Sequence, residues 1–156
     1  MGDGNCLFRA MSHIITGSQD QHVQVHAAII RHLKTNSFLF VYCLTDPQYD
    51  VFHPDTDRTI NKYIETERMD RSGTWGSDVE MNVLAHMLET TLYLYKDPCS
   101  CSPRNRRGCT CAPSEWLKYN WSSVFRHVGI NVPEDNTAPA MYIYHPLHPL
   151  MLSVLL

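Results

Sequence analysis

Apolar residues recur at three- and four-residue spacing through the first part of this chain, and from Thr90 short β-branched and aromatic runs take over. That change of period constrains the fold most. Helices come first and strands gather late, so the chain reads as α+β rather than as regular βαβ alternation. Leu7, Phe8, Met11, Ile14 and Ile15 share a helical face, and Gly17 ends that run. Ser18 and Gln21 form a capping-box pattern that opens a second helix to about Thr35, with Val25, Ile29 and Leu33 inward. Phe38 to Leu44 is aromatic and apolar, and Asp46, Pro47 and Pro54 break up the stretch after it. Thr59 to Met69 reads as a short helix with Ile60, Tyr63 and Ile64 inward; Asp55 and Asp57 read as caps and first-turn charges. Ser77 and Glu80 make a second capping box, ahead of the clearest stripe: Val79, Val83, Leu84, Met87 and Leu88. Strands are expected at Thr90 to Tyr95, Ala140 to Tyr144 and Leu152 to Leu156, while Trp116 to Val128 suits neither period.

At 156 residues the chain is most simply one domain, 1–156, with a Cys-, Pro-, Arg- and Gly-rich surface insertion at about 97–113. A net charge of -3, with no basic cluster beyond Arg104, Arg106 and Arg107, argues against a nucleic-acid partner. No apolar run approaches the ~20 residues of a membrane span. The polar GDGN after Met1 is unlike a signal peptide, and Cys6 stands where a myristoylation signal wants Ser or Thr. An intracellular, cytoplasmic or nuclear monomer in a reducing compartment is therefore expected, with no disulfide framework.

Cys6 is the residue with the strongest chemical claim. It sits in GDGNCLFRAMS, where loop gives way to helix. Thiolate is the attacking form of a cysteine, and a helix N-terminus favours it through free N–H groups and dipole. Gly4 has no Cβ and so lets backbone N–H groups approach a substrate carbonyl as an oxyanion hole, while Asp3 and Asn5 can hold the loop. The bland alternative is a small buried hydrophobe at a helix start.

The stretch DGNCLFRAMS resembles the nucleophile motif of the ovarian-tumour (OTU) family of cysteine proteases, most of which are deubiquitinases. Thr74-Trp75-Gly76-Ser77-Asp78-Val79-Glu80 is similar to the family's turn and central helix, LYLY to its strand, and Met141 to Tyr144 to the strand before the catalytic histidine. The resemblance implies a papain-like fold with a small, mostly antiparallel sheet packed between helices. It also implies a thiol-dependent hydrolase of isopeptide bonds at the C-terminus of ubiquitin or a ubiquitin-like protein. Cys6 would be the nucleophile, a histidine the base, and the backbone from Asp3 to Cys6 the oxyanion site.

The family's closing pattern is His, an aromatic, then Asp or Asn; this chain ends YHPLHPLMLSVLL. Aligning the last strand on Ser153-Val154-Leu155 brings the histidine position to Met151 or Pro149. With a floating gap His148 is the first candidate base and His145 the second, each followed by Pro-Leu. The orienting partner must then come from Asp3, Asn5 or Asn131. Two further readings stay open: an impaired member that binds ubiquitin without cleaving it, and a small interaction module held by a four-cysteine zinc site. Cys99, Cys101, Cys109 and Cys111 form two C-x-C pairs, narrower than the usual two-to-four-residue spacing, so free thiols are favoured and no cofactor is expected. His22, His26 and His32 read as solvated helix histidines, Trp75 as packing at a turn, and Trp116 and Trp121, on either side of Tyr119, as core or insertion packing.

Overall fold

The computed structural model describes residues 3–96, 115–132, 140–144 and 153–155. The periodicities become helices α1 (Cys6–Thr16), α2 (His22–Thr35), α3 (Ser37–Phe40), α4 (Thr56–Thr66) and α5 (Asp78–Met87). Strands β1 (Thr91–Lys96) and β2 (Glu115–Tyr119) come next, then helix α6 (Ser123–His127) and strands β3 (Ala140–Tyr144) and β4 (Ser153–Leu155). The sheet has the order β2-β1-β3-β4. β1 pairs antiparallel with β2 and parallel with β3, and β4 closes antiparallel on β3, so two of the three pairings are antiparallel as expected.

Gly17 ends α1 in the left-handed conformation, φ 76°, with its N–H on the His13 carbonyl. Two helix starts differ from the sequence expectation, and α4 ends at Thr66 rather than Met69. Ser18 caps through Asp20 N–H at 3.2 Å and opens a 3₁₀ turn, Gln19–Gln21, so α2 begins at His22. Asp55 accepts from Arg58 N–H at 3.0 Å, which starts α4 at Thr56, three residues before the apolar stripe suggested. The stretch Trp116 to Val128, ambiguous by period, divides into β2 and α6.

The core is built from Phe8 and Met11 of α1, Ile29 and Leu33 of α2, Phe40, Ile60 of α4, and Met81 and Leu84 of α5, all essentially inaccessible. On β1 and β3 the alternation sends Leu92 and Ile143 into this core, while Tyr93 stacks on Tyr142 on the other face, 4.9 Å apart. Ser77 and Glu80 form the expected capping box at the start of α5. Glu80 is wholly buried; it accepts from Ser77 N–H at 2.7 Å, Ser77 Oγ at 2.8 Å and Tyr63 Oη at 2.9 Å. Burial pushes its carboxyl above the usual range, against these hydrogen bonds, and pushes the Tyr63 phenol up as well.

Two of the three α2 histidines, His26 and His32, are a correction, while His22 meets the Gln19 carbonyl at 3.0 Å in an exposed contact. His26 is only 6% exposed and lies flat against Phe8, ring centroids 4.0 Å apart. His32 Nε2 meets His86 Nδ1 at 2.9 Å, tying α2 to α5 beside Phe40 and Phe125. The apolar stripe of α2 is wider than three aliphatic residues can supply, and imidazoles complete it. Burial lowers the pKa of the His26, His32 and His86 rings. The unfolded chain therefore binds more protons as pH falls below the ordinary histidine value of ~6.5. Stability is expected to be steady near neutrality and to decline as pH drops below about 6.5, read as a falling urea midpoint between pH 7 and pH 5. A flat profile would show that the three rings titrate as free histidines.

Candidate active site

Cys6 is the first residue of α1 and is half-buried. The preceding residue, Asn5, is of a type that usually caps a helix with its own side chain, yet it makes no such bond here. Its Oδ1 instead accepts from Gly73 N–H at 2.9 Å and from Ser72 Oγ at 3.3 Å. The first turn of α1 is thus left without a side-chain cap at the residue meant to carry the chemistry, and its N–H groups have no acceptor within the helix. Asn5 N–H in turn donates to Asp3 Oδ1 at 3.1 Å, and Arg9 pairs with Asp3 Oδ2. The Asn5 N–H bonds lower the Asp3 pKa, with Arg9 adding to the effect.

This loop is pressed against a second one. Gly4 has φ 77°, and a Cβ on it would stand 1.9 Å from the Gly73 carbonyl oxygen. Gly73 has φ 89°, and its own Cβ would meet the Asp3 carbonyl oxygen at 3.2 Å. Two left-handed glycines therefore allow two backbones to touch. Gly76 is close to α1 as well, against a side chain: a Cβ there would lie 2.4 Å from Leu7 Cδ2. Residues 72–77 are so laid along the first turn of α1.

A cleft of about 270 Å³ opens at Cys6, walled by Leu7, Ala10, Met81, Leu94 and Ile143, with Trp75 at its rim. Trp75 is 59% exposed, so the packing role expected for it is not what the structure shows; the indole is a surface of the cleft. Trp116, though partly exposed, packs edge-on against Tyr95 and Tyr142, and Trp121 packs partly buried against the core; Tyr119 is buried and donates to Asp78. Sequence reasoning missed Gly73, whose role depends on a contact across the fold, and Arg9, which pairs with Asp3 of the preceding loop. Of the sequence-predicted site residues, Asp3, Gly4, Asn5 and Cys6 form one unit. Asp3 and Asn5 spend their side chains within the loop and on Gly73. Asn131 is exposed. His145, His148, Pro149 and Met151 lie outside the described residues, as do Cys99, Cys101, Cys109 and Cys111 and the whole stretch 97–113. Among the described residues no group of three His, Cys, Asp or Glu side chains could hold a metal, and no helix is long and apolar enough to cross a membrane.

A cysteine opening a helix, a glycine-dependent loop before it and a cleft bounded by a mixed sheet make up the described part of the site. A family model for OTU-like cysteine proteases matches residues 1–127, and the chain belongs to that family. Among relatives, OTU domain-containing protein 4 of Mus musculus is 28% identical over 96 residues, covering 62% of this chain and 7% of its own length. OVARIAN TUMOR DOMAIN-containing deubiquitinating enzyme 9 of Arabidopsis thaliana is 22% identical over 152 residues, covering 92% of this chain and 39% of its own length. The chain thus spans well under half of either relative. The fold matches the solved OTUD1 OTU domain with a TM-score of 0.64 at 17% identity, over 99% of this chain and 81% of that one. It matches the viral OTU domain protease of Dera Ghazi Khan virus at 0.55 and 19%, over 92% and 71%.

Gly4→Ala combines a backbone strain of about 1–3 kcal/mol with a clash against main chain that no rotamer relieves. The variant is expected to lower the denaturation midpoint and to abolish thiol reactivity at Cys6 toward a substrate-like electrophile. Normal stability with normal reactivity would show that the two loops do not touch.

Proposed function

We propose that this domain is a thiol-dependent hydrolase of isopeptide bonds at the C-terminus of ubiquitin or a ubiquitin-like protein, with Cys6 as nucleophile. One observation carries the reading: Cys6 stands at an uncapped helix start, on a loop pinned from both sides, at the mouth of a cleft. A histidine takes the thiol proton, and the sulfur attacks the carbonyl carbon of the scissile bond. Backbone N–H groups of the Asp3–Cys6 loop and the first turn of α1 stabilise the negative charge that develops on the carbonyl oxygen. The C–N bond then breaks, the lysine amine leaves with the proton returned by the imidazole, and water hydrolyses the thioester left on Cys6.

The base in this reading is His148, with His145 second. In support, Ile143 of β3 lines the cleft, and His145 and His148 come two and five residues after it along the chain. Asp3 is the first sequence candidate to orient the ring; both its carboxylate oxygens already serve Asn5 and Arg9, which favours a loop-holding role for it. Asn131, exposed on the stretch after α6, is the remaining candidate.

The impaired, ubiquitin-binding reading is favoured by a single feature, the Pro-Leu after each late histidine. General-base help is typically worth ~10²–10⁴-fold, so loss of the base would leave binding with little turnover. A ubiquitin probe ending in an electrophile separates the two. Labelling of wild-type protein, absent in Cys6→Ala, is expected for the hydrolase, with a rate reduced at least ~100-fold in whichever of His148→Ala or His145→Ala removes the base. Ubiquitin binding without labelling would favour the impaired member, and neither labelling nor binding would end both readings.

A further inference from the structure

His26 is a buried side chain that the proposed chemistry does not use, and it touches both halves of the site. Its ring lies on Phe8, two residues past Cys6 on α1, with the planes 15° apart. The tip of Phe8 in turn reaches the second loop: a Cβ on Gly76 would stand 3.4 Å from Phe8 Cζ. The His26 ring also shares a hydrogen bond with the Met69 backbone. Met69, itself 1% exposed, stands at the start of the turn that brings Ser72 and Gly73 to Asn5. Thr74 Oγ1 closes that turn on the Arg68 carbonyl at 2.7 Å. One imidazole from α2 is thus in contact with the helix that carries the nucleophile and with the segment laid along its first turn.

The ring is more than nine-tenths buried, and its Nε2 is closed off from solvent with no hydrogen-bond partner. A neutral imidazole tolerates that, because one of its nitrogens is a bare acceptor. A protonated ring would place a charge and an N–H without an acceptor in the same spot. The groups that face it offer little relief. α1 presents the Phe8 ring, the turn after α4 presents the Met69 backbone, and His22, one turn earlier on α2, opposes a second positive charge. Of these only the Met69 backbone favours the charged ring, and burial outweighs it. Among the described residues the ion pair is Arg9–Asp3, so no carboxylate neutralises the ring.

Resting on the hydrolase reading, we propose that His26 is a positioning residue for Cys6: the neutral ring holds α1 and the segment from Met69 to Gly76 together, and a proton on Nε2 displaces it and loosens the loop at Cys6. The contact it backs has no slack. Gly4 and Gly73 touch through main chain, and Asn5 holds Gly73 N–H at 2.9 Å, so a shift of the segment passes directly to the loop that carries the nucleophile. A misplacement of about 1 Å at a reacting centre costs up to ~100-fold in rate. Acid thus acts on the site twice, once on the thiol and its base and once on the ring beneath the loop.

The first test needs no variant. In isotope-labelled wild-type protein, nuclear magnetic resonance follows the His26 ring and the Gly73 amide from neutral to acid pH. Gly73 is expected to shift with the midpoint of the His26 ring, and a Gly73 amide blind to that titration overturns the proposal. The second test follows labelling of Cys6 by the ubiquitin electrophile, over the pH range in which near-ultraviolet circular dichroism shows each protein folded. His26→Gln keeps a hydrogen-bond donor for Met69 and His26→Phe keeps a flat face on Phe8, and neither can take the proton. Relative to its own rate at neutral pH, the wild type is expected to fall more steeply than either variant, by up to about tenfold for each pH unit below the His26 midpoint. The same acid limb in the wild type and in a folded variant overturns the proposal. Should neither variant fold, the Gly73 titration decides alone. If the probe leaves Cys6 unlabelled at every pH, the hydrolase reading is what fails. Alkylation of Cys6 by iodoacetamide then gives the same comparison: a steeper wild-type limb keeps His26 as the support of that thiol, and equal limbs end it.

Discussion

The contact between Gly4 and Gly73 is the constraint on which the site depends. A side chain on Gly4 would occupy the place of a neighbouring carbonyl, and both residues hold backbone conformations that L side chains rarely adopt. Because the two loops touch directly, Asn5 can reach across with one amide and hold Gly73 N–H. That same reach takes Asn5 away from capping α1. One residue thus closes the loop and leaves the helix start open, and the open donors fall beside the only side chain of the loop that can act as a nucleophile.

The second loop is in turn held by a buried carboxylate. Glu80 sits at zero exposure under three donors, two of them from Ser77 and one from Tyr63 of α4. A buried acid with well-placed donors is costly to rearrange, because any displaced donor or oxygen is left without a partner. The start of α5 is therefore rigid, and Trp75 and Gly76 just before it inherit that placement. From α5 the core continues to the sheet, where Leu94 and Ile143, adjacent in the parallel β1–β3 register, supply the opposite wall of the cleft. Helical layer and sheet meet where the cysteine is.

Local patterns predicted local structure well. The Ser77–Glu80 box, the Gly17 stop and the strand Ala140 to Tyr144 were legible because each depends on residues within a few positions of one another. The capping pattern at Ser18 points to Gln21 but is satisfied by Asp20, a competing turn solution within the same four residues. The histidines of α2 mislead for a different reason. A polar residue at a helical position is ambiguous until its partner is known, and the partners, Phe8 and His86, come from other elements.

The sequence by itself determined the order of helices and strands, the placement of Cys6 at a loop-to-helix junction, and the family, since all three are written in contiguous residues and their spacing. Tertiary structure decided what the loop residues do. Gly73 and Trp75 gain their roles only when the turn before α5 is laid on α1, bringing together groups some seventy residues apart, as Asn5 and Gly73 are. Whether a side chain caps, bridges or lines a cleft depends on which partner the packed chain brings within hydrogen-bond distance, and no local spacing specifies that partner.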